Sequence, residues 1–352
     1  MMISFKNLFC CFCLFLILLV SGKTDMLAEA RVQRNKLNHY HPTKLFVFGD
    51  SYADTGNTRK AQGGSWKEPY GLIYPGKPTG RWSDGRVLTD FIAKYLRLKS
   101  PVPYRLRNVM TQYLKYGINF AFGGTGVFNT SSLNPNMTTQ IDFLDQLIKD
   151  KVYTSSDLSN SVTLVVISGN DYNFYLAKSG SIQDFPAFIT SVVNQTTTNL
   201  IRIQKLGAKK IVVSGLQPLG CLPQITVSST FQQCNSTFNN LVVLHNNLLN
   251  QSVTKLNQES KNQILILDLY SSFMSILNHS STYSIQNSLK PCCLGVSSGY
   301  NCGSVENNEK KYEVCDKPRS TFFWDSLHPT QAGWHAVCNK LQTMNVLKQL
   351  FY

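Results

Sequence analysis

The sequence predicts an α/β fold, a parallel sheet of five strands held between layers of helices, and three observations carry that expectation. Five short apolar runs each end directly in turn residues. Longer segments with helical spacing separate the runs. No repeat and no linker rich in Pro or Gly divides the chain. Strands alternating with helices imply crossover connections, which set neighbouring strands parallel. The runs are continuously apolar rather than alternating, as strands covered on both faces are.

The first run, residues 44–48, ends at Gly49-Asp50-Ser51. A weaker one, residues 116–120, leads to Gly123-Gly124. The third, 162–167, ends at Ser168-Gly169-Asn170-Asp171; the fourth, 208–213, ends at Ser214-Gly215; the fifth is 263–268. Helical spacing fills residues 89–98, 139–149, 182–206, 238–256 and 331–347, with Pro186 tolerated only near the start of its segment. Residues 291–319, rich in cysteine, read as a disulfide-tied excursion before the last helix.

A chain of 352 residues that is 43% apolar can bury one sizeable core, so a single domain over residues 44–348 is expected. Residues 1–22 read as a signal peptide. Lys6 precedes an apolar run from Leu8 to Val20, whose 13 residues are too few to cross a bilayer. Ser21-Gly22 or Ala28-Glu29-Ala30 marks cleavage, which places the mature start near Lys23 or Arg31; a short uncleaved anchor is the competing reading. No later stretch is long and apolar enough to span a membrane. The expected destination is therefore outside the cell, in the extracellular space or cell wall.

Two features agree with export. Asn129, Asn136, Asn194, Asn235, Asn250 and Asn278 fit the glycosylation pattern Asn-x-Ser/Thr. Seven cysteines follow the signal peptide: Cys221, Cys234, Cys292, Cys293, Cys302, Cys315 and Cys338. Spacings of 13 (Cys221 to Cys234) and 22 (Cys293 to Cys315) suit disulfides that staple loops, although six cysteines allow 15 connectivities. Cys338, on a helical segment, is expected to stay free. The spacings lack the paired C-x-x-C of a zinc site, so no metal is expected.

The net charge is +14, or +13 without Lys6. The basic residues are scattered and form no stripe interleaved with aromatics, which argues against nucleic acid as a partner.

In open parallel sheets ligands bind beyond the carboxyl ends of the strands. The residues standing there can supply acyl-transfer chemistry, which needs a nucleophile, a base, a group that orients the base, and donors for the oxyanion. Ser51 lies at the first strand-to-helix turn. His328 is the best placed of six histidines, with Asp325 three residues before it in a turn ahead of the last helix. Gly123 can aim a backbone N–H into a cleft, and Asn170 can donate from its amide; with the Ser51 N–H they make three oxyanion donors. Gly295-Val296-Ser297-Ser298-Gly299 matches G-x-S-x-G but sits among cysteines, away from any strand-to-helix turn, and is read as a chance match.

Four blocks in order resemble the GDSL/SGNH hydrolases, in their plant esterase/lipase branch. They are Phe48-Gly49-Asp50-Ser51 with Asp54 and Gly56-Asn57; Asn119 to Gly124; Gly169-Asn170-Asp171-Tyr172; and Phe323-Trp324-Asp325 through His328-Pro329-Thr330. Pro218-Leu219-Gly220-Cys221 and the paired Cys292-Cys293 look like this branch too. The resemblance implies an α/β/α sandwich on a five-stranded parallel sheet, similar to flavodoxin. It implies Ser51 as nucleophile, His328 as base oriented by Asp325, an oxyanion hole of Ser51, Gly123 and Asn170, and no cofactor. The implied activity is hydrolysis of lipid or acylated-carbohydrate esters; acyl transfer by the same acyl-enzyme and an inactive binding protein are the alternatives. Phe122 stands where the branch has a small residue, an expected change beside the oxyanion hole. Acyl-chain length and oligomeric state stay open at this point.

Overall fold

The computed structural model describes residues 41–351 apart from 182, 261 and 287; the expected signal peptide lies outside the described residues. Residues 41–350 form one compact unit.

Its centre is a sheet of β1 (Leu45–Gly49), β2 (Val102–Pro103), β3 (Gly117–Asn119), β4 (Val162–Val166), β5 (Lys210–Ser214) and β6 (Gln263–Leu267). The strands lie in the order β2-β3-β1-β4-β5-β6, and every neighbouring pair is parallel. All five expected strands are present. The sixth, β2, is two residues at an edge, too short to leave an apolar run; its Pro103 fits an edge position. β1, β4 and β5 are buried at every residue, so both faces of the sheet centre are covered.

The helices of eight residues or more are α1 (Leu88–Tyr95), α2 (Met137–Lys149), α3 (Asn170–Ala177), α4 (Phe185–Lys205), α5 (Ser236–Glu259), α6 (Leu269–Asn278) and α7 (Gln331–Thr343). α1 and α6 pack against α7, while α2 and α5 pack against α4. The segment expected to run from residue 182 begins as a helix at Phe185, with Pro186 in its first turn. Two of these seven lie outside the segments expected to be helical. α3 carries no apolar stripe and starts directly on Asn170; α6 follows β6 after a single residue, Asp268, whose carboxylate accepts the Ser271 N–H at 2.9 Å.

Leaving β2 aside, the chain runs from β1 outward to β3, then crosses back to lay β4 on the other side of β1. The connections diverge above this pair, and the crevice they leave is where open α/β sheets bind ligands. Gly49 at the exit of β1 has φ +137°, and a Cβ there would meet the Val166 carbonyl oxygen of β4 at 2.2 Å. Gln140 of α2 brackets the same glycine: its Oε1 accepts the Gly49 N–H at 2.8 Å and its Nε2 donates to the Gly49 carbonyl at 2.9 Å.

The excursion before α7 holds two small antiparallel pairs, β7 (Cys293–Gly295) with β10 (Tyr312–Val314) and β8 (Val305–Glu306) with β9 (Glu309–Lys310). Disulfides join Cys221–Cys234, Cys292–Cys315 and Cys293–Cys302; Cys338 is free and buried. The Cys293 to Cys315 spacing is therefore not a bridge. Side chains of adjacent extended residues point to opposite sides, and the Cys315 N–H donates to the Cys292 carbonyl at 2.7 Å, so Cys292 faces Cys315 while Cys293 turns to Cys302. Gly295 closes β7 and Ser297 lies in the loop beyond, away from a strand-to-helix turn.

Gly49→Ala should lower the unfolding free energy by about 4 kcal/mol or more, through backbone clash and left-handed strain. Gly76, at φ +85° with no atom within 4 Å of an added Cβ, should lose only about 1 kcal/mol on the same change. Urea midpoints of the two variants check the contrast.

Candidate active site

The turn after β1 and the turn before α7 meet at the crevice. Ser51 Oγ lies 2.8 Å from His328 Nε2, across 277 residues of sequence. His328 Nδ1 lies 2.8 and 2.9 Å from the two oxygens of Asp325. The turn itself makes this pairing: Asp325 Oδ1 accepts the backbone N–H groups of Leu327 and His328, both at 2.8 Å, and the Trp324 N–H donates to the His328 carbonyl at 2.7 Å. The carboxylate is thus folded back onto the ring three residues ahead. An acceptor at Nδ1 fixes the proton there and leaves Nε2 to take the hydroxyl proton of Ser51. All three side chains are buried.

Aromatic side chains hold the ring. Trp82 lies nearly parallel to it at 5.1 Å between centroids, and Tyr52 meets it at a steep angle at 5.9 Å while its hydroxyl donates to the Leu327 carbonyl at 2.9 Å. The Tyr70 hydroxyl donates to Asp325 Oδ2 at 2.7 Å. Burial penalises the Asp325 carboxylate, but the charge and hydrogen bond of His328, the Tyr70 hydroxyl and the Leu327 N–H outweigh it and hold its pKa below the ordinary value. Tyr70 stands in an irregular loop between Trp66 and α1, where no pattern in the sequence singles it out.

Two further acids frame Ser51. Asp50 Oδ2 accepts the N–H of Ser168 at 2.6 Å and its hydroxyl at 2.7 Å, which ties the exit of β1 to that of β4. Burial pushes the Asp50 pKa up to about 6 against those hydrogen bonds. Asp54 accepts from the N–H groups of Gly56, Asn57 and Thr58 and from the Thr58 hydroxyl. Asn57 and Asn119 complete the scaffold. Asn57 Nδ2 donates to the carbonyls of Asn119 and Ala121, and Asn119 Nδ2 to that of Ala53.

The expected oxyanion donors divide. Asn170 donates one amide hydrogen to the Thr125 carbonyl at 3.0 Å and keeps the second. The Ser51 N–H has no acceptor among the described residues. Gly123 does not fit its expected part. Its N–H is held by Asp54 Oδ2 at 3.0 Å and Thr58 Oγ1 at 2.9 Å. A glycine is required there because a Cβ would meet Trp82 Nε1 at 2.4 Å. The next residue, Gly124, lines the same cavity, and its N–H has no acceptor among the described residues. Two adjacent glycines after one strand look alike in sequence, and only the hydrogen bonds separate them. Phe122 is buried and does not line the cavity, so the expected change beside the oxyanion hole is absent from its wall.

The cavity over Ser51 has a volume of about 690 Å³ and is walled by the loop from Thr130 to Asn134 and by Asn173, Phe174 and Lys178. Among the described residues, no three His, Cys, Asp or Glu side chains gather as a metal site requires.

Residues 45–341 match the family GDSL-like Lipase/Acylhydrolase. Over 343 residues the chain is 53% identical to GDSL esterase/lipase At5g03610 of Arabidopsis thaliana, covering 94% of this chain and 95% of that protein. It is 48% identical to GDSL esterase/lipase At3g09930 of the same plant, over 88% of this chain and 90% of that one. It is 30% identical to acetylajmalan esterase 2 of Rauvolfia serpentina, over 87% and 91%. The fold and these likenesses define a hydrolase of ester bonds. The chain belongs to the GDSL-like lipase/acylhydrolase family.

Tyr70→Phe should lower kcat about tenfold with KM unchanged, since a hydrogen bond to a charged group contributes about 1.5–3 kcal/mol. Losing the donor also removes one of the groups that hold the Asp325 pKa below its ordinary value, so that pKa should rise in the variant; a packing role alone would leave it in place.

Proposed function

We propose that Ser51, His328 and Asp325 hydrolyse carboxylic esters through an acyl-enzyme. The observation that carries the proposal is the unbroken chain from Ser51 Oγ through both His328 nitrogens to the Asp325 carboxylate, all of it buried. Ser51 Oγ attacks the carbonyl carbon as its proton passes to Nε2. The oxyanion is held by the Ser51 N–H, the free hydrogen of Asn170 Nδ2, and the Gly124 N–H in place of Gly123. Cleavage of the C–O bond returns the proton from Nε2 to the leaving alcohol. Water then repeats the sequence on the acyl-enzyme and frees the acid and Ser51. A relative named acetylajmalan esterase supports an acetyl ester within reach of this site.

Export to the extracellular space or cell wall, with residues 1–22 or 1–30 removed, belongs to the same proposal. Three disulfides support it, since such bonds persist in oxidising compartments. So do exposed sequon asparagines at 129, 194, 235, 250 and 278. Asn136 is half-buried instead; it caps α2 by accepting the Thr139 N–H, as Asn235 caps α5, and donates to Asn129 Oδ1 at 2.7 Å. Among the described residues no helix is long and apolar enough to cross a membrane.

Hydrolysis of p-nitrophenyl acetate, butyrate and palmitate tests the mechanism. Ser51→Ala should lose about four orders of magnitude or more in kcat. Retained activity in that variant would sink the serine mechanism. Asn170→Ala should lose about 10²–10³ in kcat, the effect of removing one oxyanion donor.

A further inference from the structure

His328 borders two cavities. The first, of about 690 Å³, contains Ser51, Gly124 and Asn170. The second, of about 400 Å³, lies between the catalytic turn and the loop closed by Cys293–Cys302, and includes Tyr70, Asp325, Tyr300 and Asn301. Trp82, Leu327 and His328 wall both. Its volume falls within the roughly 300–1,000 Å³ of small-molecule sites.

We infer that the second cavity receives the alcohol half of the ester, and that this alcohol is a polyhydroxylated ring such as a sugar. The inference deepens the acyl-enzyme reading and rests on it. Acyl transfer dictates where each half of the substrate lies. The carbonyl oxygen must sit at the donors, all of which belong to the first cavity, so the acyl carbon sits beside Ser51. The alcohol oxygen must take its proton from His328 Nε2, so it is the half of the substrate held against the imidazole. That ring borders both cavities together with Trp82 and Leu327, so the second cavity is the space next to the alcohol half that a larger alcohol would enter.

The lining indicates the kind of alcohol. Tyr70, Trp82 and Tyr300 offer aromatic surface, on which the apolar face of a ring can rest. The Asn301 backbone is fixed by its N–H to Ser304 Oγ at 2.9 Å, while its side-chain amide has no partner among the described residues. The Tyr300 hydroxyl donates to Glu306 Oε2 at 2.6 Å, leaving its oxygen able to accept. Donors and acceptors set beside flat apolar faces match a ring bearing hydroxyls, whereas an alkyl chain would displace their water without replacing its hydrogen bonds. The loop that carries Tyr300 and Asn301 is tightly built: a Cβ on Gly295 would meet the Tyr300 carbonyl oxygen at 2.0 Å.

The test compares esters that share an acyl group and differ in the alcohol: ethyl acetate, whose alcohol is too short to reach, against monoacetylated glucose and xylose. Ethyl butyrate varies the acyl side. Asn301→Ala should lower kcat/KM on the sugar acetates about tenfold, the effect of one lost hydrogen bond. Asn301→Trp, which fills the cavity, should lower it further. Both should stay within about twofold of wild type on the ethyl esters. Phe174→Ala, in the first cavity, should change the butyrate to acetate ratio and leave the sugar to ethyl ratio alone. Asn301 variants that weaken all esters equally, or none, would overturn the subsite, as would wild-type enzyme active on ethyl esters but not on sugar acetates. Wild-type enzyme no better than Ser51→Ala on every ester would overturn the acyl-enzyme reading itself.

Discussion

The interaction on which the site depends is the one between Asp325 and His328 inside a single turn. A carboxylate and an imidazole, each with about 5% of its surface exposed, pair in a place where an unpartnered charge would be expensive. The turn solves this locally. Two of its own N–H groups and the Tyr70 hydroxyl bind the carboxylate, so Asp325 stays ionised without a bulk-solvent shell. His328 is then fixed in direction, and Ser51 needs only to arrive opposite Nε2. The parallel sheet delivers it, because β1 ends at the crevice that the crossover from β3 to β4 opens.

Two other buried acids, Asp50 beside Ser51 and Asp84 beside α7, act in the opposite electrostatic sense. Asp325 has a lowered pKa, so its contribution to stability is present above the unfolded value and is lost as pH falls through the folded one. Asp50 and Asp84 are raised to about 6 by burial. Their folded forms bind protons more tightly than the unfolded chain, so their contribution is full below 3.8 and disappears as pH rises through about 6. At neutral pH they weaken the fold. Their geometry explains why they stay: Asp50 ties Ser168 to the nucleophile turn, and Asp84 accepts the Gln331 N–H at 2.6 Å at the start of α7. Each fastens a catalytic turn to the element beside it, at the expense of stability.

What the sequence made legible follows the same division. Ser51 and Asn170 stand out in the sequence because each follows a strand, and Asp325 and His328 because they share a short turn ahead of the last helix, where chemistry and periodicity mark the same position. Tyr70 does not, since its link to Asp325 spans 255 residues from an irregular loop. Gly123 and Gly124 differ only in which N–H is already bonded, a property of tertiary structure. The pairing of Cys292 and Cys293 depended on which way two adjacent extended side chains point. α3 leaves no helical signal because its first residues face the site rather than an apolar core: Asn170 lines the crevice, and Asp171 accepts the N–H groups of Val127 and Phe128.

The disulfide-tied excursion is joined to the catalytic turn by backbone, not by incidental contact. The Cys292 N–H donates to the Phe323 carbonyl at 3.0 Å and the Cys293 N–H to that of Trp324 at 2.7 Å, while Tyr70, Tyr312 and Trp324 bury together against both cysteines. The loop that walls the second cavity is therefore an extension of the strand that supports Asp325. Side chains on it can change in size and polarity without moving that strand, because the bonds that join the strand to the turn are main-chain bonds. Those that position His328 come from its own turn and from Trp82 and Tyr52. The proposed reacting centre and the proposed alcohol site would then share one imidazole wall, so that selectivity could change while the hydrogen bonds from Ser51 to Asp325 stay as they are.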